Sequence, residues 1–210
     1  MRSYLAGLSG LSLVFAAVPA SATIIVYDTP GAIQPNENIL FQGAPPPSGN
    51  SAYGTTNQTN TQVTFVGTEP LVAPANGQAR IEAVDGGLGK LSFYLTDLNL
   101  GFKEVEFNIF GTGATASSVL LSFYDQFGNM YGGTYAIGNG QNFFSAEALD
   151  NQFIKSVSID LNGNVADARQ FRVDGIGEVP EPASWAMMII GFGMVGATAR
   201  RRHARAAVTA

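Results

Sequence analysis

The side chains of this chain that could do acid–base or metal chemistry are almost all carboxylates. The sequence has no cysteine and a single histidine, His203, which follows a cluster of arginines. Thiol nucleophiles, a Ser-His-Asp triad and histidine- or thiolate-based metal sites are therefore excluded from everything before that cluster. Any catalysis in the body of the chain would have to use Asp and Glu.

A glycoside hydrolase is the enzyme class that works with two carboxylates alone. Glu82 and Glu106 are a candidate pair. However, Glu104 and Glu106 stand two residues apart within one alternating segment, which is typical of the solvated face of a strand. The sequence therefore favours a protein without catalytic residues, and a hydrolase is the weaker alternative.

Calcium is the metal that such a chain could bind, because it takes oxygen ligands. The weak candidates are Asp28, Asp85 and Asp174. Their spacing matches neither an EF-hand nor a repeat-type calcium loop, and the alternative is that each aspartate caps a turn. We expect no cofactor, with a structural calcium ion as the alternative.

The segment 180–186 reads PEPASWA and precedes an uncharged apolar run. The two prolines cannot continue a strand ladder or a helix interior, and Trp185 suits a bilayer interface. Residues 183–199 are at the short end of what crosses a bilayer as a helix, and positively charged side chains stay on the cytoplasmic side. The sequence predicts a transmembrane helix over 183–199 and a basic cytoplasmic tail over 200–210, which includes Arg200, Arg201, Arg202 and Arg205.

This arrangement resembles the PEP-CTERM sorting signal of Gram-negative bacteria in its PEPxxWA form. The residues that carry the resemblance are Pro180, Glu181, Pro182, Trp185 and Ala186. The resemblance implies recognition by an exosortase, a membrane protease-transpeptidase that cuts near the motif and passes the protein to the envelope surface or extracellular polymer. A simple membrane anchor behind a proline-rich linker is the alternative.

The first residues agree with export. Met1-Arg2 supplies a positive region, residues 5–18 are apolar, and Ala20-Ser21-Ala22 is a small-residue cleavage site. We predict a signal peptide over 1–22, recognised by the Sec translocon and cut after Ala22. The alternative, a buried N-terminal helix, fits poorly because β-rich sequence follows directly.

Between the two signals lies an acidic body, residues 23–178. Its six lysines and arginines against fifteen aspartates and glutamates give a net charge of −9, whereas the whole chain carries −5. An acidic surface repels phosphate backbones, so nucleic acid is excluded as a partner. Divalent cations and neutral sugars remain compatible with this charge.

The body predicts an all-β fold, an antiparallel jelly-roll-like β-sandwich. Short alternating strands recur with Gly- and Asn-rich turns between them. A Pro- and Gly-rich stretch at about 43–61 predicts a long surface loop. The strands are predicted at 23–27, 38–42, 62–66, 79–84, 90–95, 103–110, 118–124, 130–136, 142–146, 153–161 and 171–176, and the core phenylalanines at Phe93, Phe107, Phe110, Phe123, Phe143, Phe153 and Phe171.

Residues 105–176 also resemble the jelly-roll sandwiches that often precede this sorting tail, through the segments 123–129 and 139–144. That resemblance implies architecture and no activity. The tyrosines best placed for exposure, and hence for stacking on a sugar, are Tyr53, Tyr124, Tyr131 and Tyr135.

Together these observations predict a non-enzymatic exported protein, first anchored in the inner membrane and then sorted to the cell surface, outer envelope or extracellular matrix of a biofilm. A carbohydrate-binding module for extracellular polysaccharide is the main alternative. A glycoside hydrolase and a simple membrane-anchored periplasmic protein are weaker ones. The predicted segments are 1–22, 23–178, a sorting linker over 179–186, the helix over 183–199 and the tail over 200–210.

Overall fold

The computed structural model describes residues 23–41, 47–74, 80–111, 113–179, 188–196 and 200. The body is all-β and antiparallel, as predicted. Its strands are β1 (Ile24–Tyr27), β2 (Glu37–Leu40), β3 (Ser51–Thr56), β4 (Gln62–Gly67), β5 (Leu71–Val72), β6 (Arg80–Ala83), β7 (Leu88–Leu95), β8 (Leu100–Gly101), β9 (Glu104–Phe110), β10 (Ser118–Asp125), β11 (Met130–Ala136), β12 (Gln141–Ala148), β13 (Ile154–Val165), β14 (Asp167–Asp174) and β15 (Gly177–Glu178).

One large sheet folds over to form both layers. Its order is β1-β12-β9-β14-β2-β3-β4-β7-β13-β10-β11, and β6 pairs with β14 off this path. Strand β2 turns the corner, because Glu37 and Asn38 pair with β14 while Ile39 and Leu40 pair with β3. The end strands β1 and β11 lie close to each other, so the sheet is nearly closed.

Alternation along the strands builds the core. In β9, Val105, Phe107 and Ile109 point inward and are fully buried. They meet inward rings of the other layer, with Phe93 and Phe107 edge to face at 5.8 Å between centroids. Of the predicted core phenylalanines, four are buried, Phe93, Phe107, Phe123 and Phe171, and three are only half-buried, Phe110, Phe143 and Phe153.

Strand β3 lies inside the segment that the sequence predicts as a long loop. Ala52 and Thr56 are buried at alternate positions, and β3 pairs with both β2 and β4. Gly54 permits this packing, since a Cβ there would lie 2.5 Å from the Ile39 side chain. The glycine that weakens the strand signal is thus required by the close approach of its neighbour.

The transmembrane helix predicted over 183–199 is not supported. Residues 188–196 are helical, and their large side chains are exposed: Met188, Ile189, Ile190, Phe192, Met194 and Val195. Over the described part of the chain, no helix combines the length and the apolar character needed to cross a membrane. The signal peptide predicted over 1–22 lies outside the described residues.

Candidate functional site

The side of β12, β9 and β14 that faces away from the core carries polar side chains in register. Glu106 on β9 is paired with Ser145 on β12 and with Arg172 on β14. The loop after β1 folds over this face at Pro30 and Gly31. Between loop and sheet lies a cleft of about 250 Å³, lined by Pro30, Gly31, Gln34, Glu106, Phe143, Gln170 and Arg172.

Glu106 is the charged centre of the cleft floor and is only 6% exposed. Burial raises the pKa of Glu106, and the Arg172 guanidinium and a hydrogen bond from the Gly31 amide oppose that rise in part. The Arg172 Nη1 to Glu106 Oε2 distance is 3.7 Å, a long ion pair. Glu106 is therefore a confined carboxylate between the Gly31 amide and the Arg172 guanidinium.

A bulge in β14 brings Gln170 into the cleft. The register between β14 and β9 shifts between Arg169 and Arg172, and Gln170 has a left-handed φ of 56°. Its Oε1 accepts a hydrogen bond of 2.8 Å from the fully buried Asn108. Asn108 Oδ1 in turn accepts one of 2.9 Å from the Asn142 amide. Bulges often re-aim side chains in this way, and here the bulge fixes the Gln170 amide beside Arg172.

Ser145 adds an unusual polar group on the same face. It is 1% exposed, and its buried hydroxyl has no hydrogen-bond partner among the residues that the structure describes. Buried hydroxyls are rarely left unpaired in folded proteins, because desolvation without a partner is costly. Together with the half-buried ring of Phe143, the cleft presents a carboxylate, a guanidinium, two amides and one aromatic surface.

This set of side chains suits binding and does not suit paired-carboxylate catalysis. Glu106 is the one carboxylate among the residues that line the cleft. Glu82 stands two strands away and four residues along, so that the two Cα atoms are roughly 15 Å apart by strand geometry. Glycosidase carboxyl groups are separated by about 5 to 9.5 Å. The structure does not bring Glu82 and Glu106 together, and Glu82 instead pairs with Arg80 at 2.7 Å.

The sequence predicts that Glu104 and Glu106 lie on a solvated strand face. The two side chains do share the outer face, but only one of them remains partly exposed to solvent. Both side chains point away from the core, but the loop after β1 buries Glu106 while Glu104 stays half-exposed. Burial, with the charges of Asp174 and Glu147, raises the pKa of Glu104. The sequence could not show that a loop covers one end of this face.

Two of the three aspartates considered for calcium, Asp85 and Asp174, accept hydrogen bonds from backbone amides. Asp85 Oδ1 accepts from the Gly87 amide at 3.0 Å. Asp174 accepts from Asn36 and from the Gly175 amide, and these hydrogen bonds lower its pKa although burial alone would raise it. Burial raises the pKa of Tyr135, and the negative charge of the nearby Asp28 raises it further. The described segments contain no cluster of three metal-binding side chains.

The predicted exposed tyrosines divide. Tyr124 is 38% exposed, whereas Tyr53, Tyr131 and Tyr135 are half-buried. Tyr131 donates to Asp125, and the Tyr135 ring packs on Phe144 at 5.6 Å. None of these four rings lines the cleft among the described residues.

Most of the cleft could not be found from the sequence. The sequence analysis predicts Phe143 as a core residue. Nothing in the sequence around Gln34, Gln170 and Arg172 indicates a binding site. Glu106 is considered from the sequence as a candidate carboxylate, and Pro30-Gly31 is a typical turn sequence that marks where the chain reverses after β1. The rest depends on the pairing of β9, β12 and β14, which alternation alone does not specify.

The sorting residues lie mostly beyond what the structure describes. Pro180, Glu181, Pro182, Trp185 and Ala186 fall outside the described residues, as do Arg201, Arg202 and Arg205 and the predicted cleavage site at Ala20 and Ala22. Arg200 is described and exposed. The chain before the motif ends in β15, which pairs with β8 through Gly177 and Glu178.

Comparison with known proteins gives a family match in sequence and several matches among solved structures. No curated protein matches this chain. The family 29 carbohydrate-binding module CBM29_1 from Piromyces equi aligns over 71% of this chain and 91% of its own, with 11% identity and a TM-score of 0.29. A TM-score this low does not establish a shared fold.

Residues 178–202 match the family described as the PEP-CTERM protein-sorting motif. The matched stretch covers every residue on which the predicted resemblance depends, from Pro180 to Ala186, and it starts inside β15. The match implies a protein that is exported through the membrane. The chain therefore carries a PEP-CTERM protein-sorting motif directly behind its β-domain.

Proposed function

We propose that this is a non-enzymatic protein that an exosortase-type membrane protease delivers to the cell surface or extracellular matrix. The observation that carries the proposal is the sorting-motif match over residues 178–202, directly behind the nearly closed β-domain. The β-domain is the part that is exported, and the motif is the signal that directs its sorting. The Sec translocon would carry the chain out, using the signal peptide predicted over 1–22.

The absence of enzymatic activity is supported by the residues of the body. Residues 23–178 contain no histidine or cysteine. The cleft holds a single carboxylate among its lining residues, so the carboxylate pair of a glycosidase is not assembled there. A display or matrix role needs only a stable domain, and the nearly closed sheet supplies one.

Replacing both motif prolines tests the sorting proposal. In the native cell, the double change Pro180→Ala and Pro182→Ala should abolish processing and surface display while the domain stays folded. Intact-mass measurement of the purified protein reports both termini, and surface labelling of cells reports location. Processing and display that survive the double change would show that the segment acts only as an anchor.

A second candidate function is binding of extracellular polysaccharide by the cleft. It is favoured by the grouping of Glu106, Arg172 and Gln170 around the half-buried Phe143 ring. Sugars are bound by such convergent hydrogen-bonding groups next to an aromatic surface. A volume of about 250 Å³ is just below the usual range for ligand pockets of roughly 300–1,000 Å³, so the cleft would hold one ring of a longer chain.

A glycan array on residues 23–179 tests this candidate, with and without calcium. The calcium arm is included because Asp28, Asp85 and Asp174 remain oxygen donors that a structural ion could use. Binding should be lost in Arg172→Ala and kept in Phe127→Ala, whose ring is 48% exposed and lies outside the cleft. If no glycan binds with or without calcium, the polysaccharide-binding function is rejected and only the display role remains.

A further inference from the structure

The place where the chain leaves the domain is held by a small second sheet. After β14, Gly175 takes a left-handed φ of 63° and turns the chain, and Ile176 packs against the core. β15 then pairs with β8, Gly177 opposite Gly101 and Glu178 opposite Leu100. The Val179 amide donates to the Asn99 carbonyl at 2.8 Å. We call β8, β15 and Val179 the exit clamp.

The exit clamp is closely packed although it is short. A Cβ on Gly101 would lie 2.7 Å from Cβ of Phe153 and 3.0 Å from Cγ2 of Val179. A Cβ on Gly177 would lie 3.2 Å from the Phe153 ring. Gly101 is therefore required for the close approach of β15 to β8, and Gly177 makes a tight contact with the same ring.

Lys155 fastens the other side of the clamp. Its Nζ donates to the carbonyls of Leu98 and Leu100, at 2.5 and 2.6 Å, so β8 and the turn before it are fixed to β13. Burial lowers the pKa of Lys155, because a low-dielectric surrounding disfavours the charged ammonium. β8 is thus tied to β13 by side-chain hydrogen bonds, and β15 is the part able to leave it.

The clamp and the sorting motif share residues. The motif match begins at residue 178, and Pro180 directly follows Val179. Proteases commonly bind their substrate as an extended strand through its backbone, in the manner of β-strand addition. The Val179 amide donates to Asn99 in the closed clamp, so it cannot donate to an enzyme at the same time.

We propose that the exit clamp must open before the sorting protease can bind the segment around Pro180, so that β15–β8 pairing limits the rate of processing. This rests on the proposed function. In the cleavage a peptide bond near the motif breaks, its acyl carbon passes to water or to an amine-bearing acceptor, and the C-terminal segment leaves with the freed amine. A two-residue strand at the end of a domain opens at low free-energy cost, so the closed clamp delays the reaction without preventing it.

A reversible disulfide across the clamp tests the proposal, because the natural chain has no cysteine. The Val179 to Asn99 hydrogen bond makes Leu100 and Glu178 a non-hydrogen-bonded antiparallel pair, whose Cα atoms are about 4.5 Å apart, within disulfide range. The full-length double variant Leu100→Cys with Glu178→Cys is expressed in the native cell. Oxidised protein should lose processing, and a thiol reductant should restore it, as read by intact mass.

A second variant opens the clamp from outside the motif. Gly101→Val adds a side chain where Phe153 and Val179 leave no room, so β15 is displaced and processing should become faster than in the natural chain. Its matched control is Gly133→Val, where a Cβ meets no heavy atom within 4 Å. Circular dichroism of each purified variant reports whether the domain has folded.

The outcomes separate the two proposals. If the natural chain is processed and the oxidised double-cysteine variant is processed at the same rate, the clamp is overturned and the sorting function stands. The clamp is also overturned, with the sorting function intact, if folded Gly101→Val is processed no faster than Gly133→Val. If the natural chain keeps residues 180–210 in its native cell, the sorting function fails and the clamp fails with it.

Discussion

Glu106 shows how a single side chain takes its character from its neighbours. On β9 it has the outward position expected of a solvated residue, yet the loop after β1 and the Arg172 side chain enclose it. Burial raises the pKa of Glu106 above its ordinary value near 4.5. The folded protein therefore holds this proton more tightly than the unfolded chain does, and the ionised carboxylate costs stability at neutral pH.

Glu106→Gln should accordingly raise the free energy of unfolding at pH 7. The amide oxygen can still accept from Gly31, and the half-exposed Arg172 can turn to water. The advantage should shrink as the pH falls through the folded and then the unfolded pKa, because both proteins are then uncharged at this position. Urea denaturation at several pH values measures it, with Glu82→Gln as control. An advantage that persists unchanged at pH 3 would contradict the assignment.

Strand β11 is an element whose shape depends on one glycine. Gly132 lies opposite Ser122 of β10 with a φ of 121°, and a Cβ there would be 2.2 Å from the Leu121 carbonyl oxygen. The adjacent Gly133 has open space on its Cβ side. The backbone conformation therefore requires glycine at position 132, whereas position 133 has room for a side chain.

Gly132→Ala should destabilise the domain by roughly 1–3 kcal/mol or more, since both the backbone conformation and the carbonyl contact are violated. Gly133→Ala should change stability by less than about 0.5 kcal/mol, the usual size of a surface effect. Chemical denaturation of the two variants side by side gives the comparison. Equal losses would mean that β11 is not held against β10 as described.

At the scale of the whole molecule, a cluster of rings joins the two layers. Phe93 of β7 lies within 6.5 Å, between centroids, of Phe65, Phe102, Phe107 and Phe171, which come from both layers and from the β8–β9 connection. The chain has no disulfide to restrict its unfolded state. Burial of these rings must therefore supply much of the stability of the exported domain.

Phe93→Ala should cost about 3–5 kcal/mol, because it removes a fully buried ring from a close-packed core. Typical domains have only about 5–15 kcal/mol in total, so the variant should melt at a clearly lower temperature. Phe127→Ala, in an exposed turn, is the matched control and should have little effect. Calorimetry measures the unfolding of both variants. A small loss of stability in Phe93→Ala would show that this ring is not central to the core.

Much of this protein could be predicted from local sequence. The alternation Val105, Phe107, Ile109 identified β9 and its buried face, and similar runs identified β10 and β13, because side-chain direction reverses at each residue of a strand. β3 escaped detection since Gly54 and the polar threonines around it mimic a loop. The two-residue strands β8 and β15 are too short to carry any alternation.

The sorting motif could be recognised from the sequence alone, because its residues lie close together along the chain. They are Pro180, Glu181, Pro182, Trp185 and Ala186. The cleft could be found only from the tertiary structure, because Glu106, Phe143 and Arg172 come from three different strands. The β14 bulge shifts their register, and the chain reversal at Gly31 adds the cover. The exit clamp likewise joins residues about 78 positions apart. Composition and spacing act along the chain, whereas pairing between distant strands is decided by the packing of the whole domain, and only the tertiary structure contains that information.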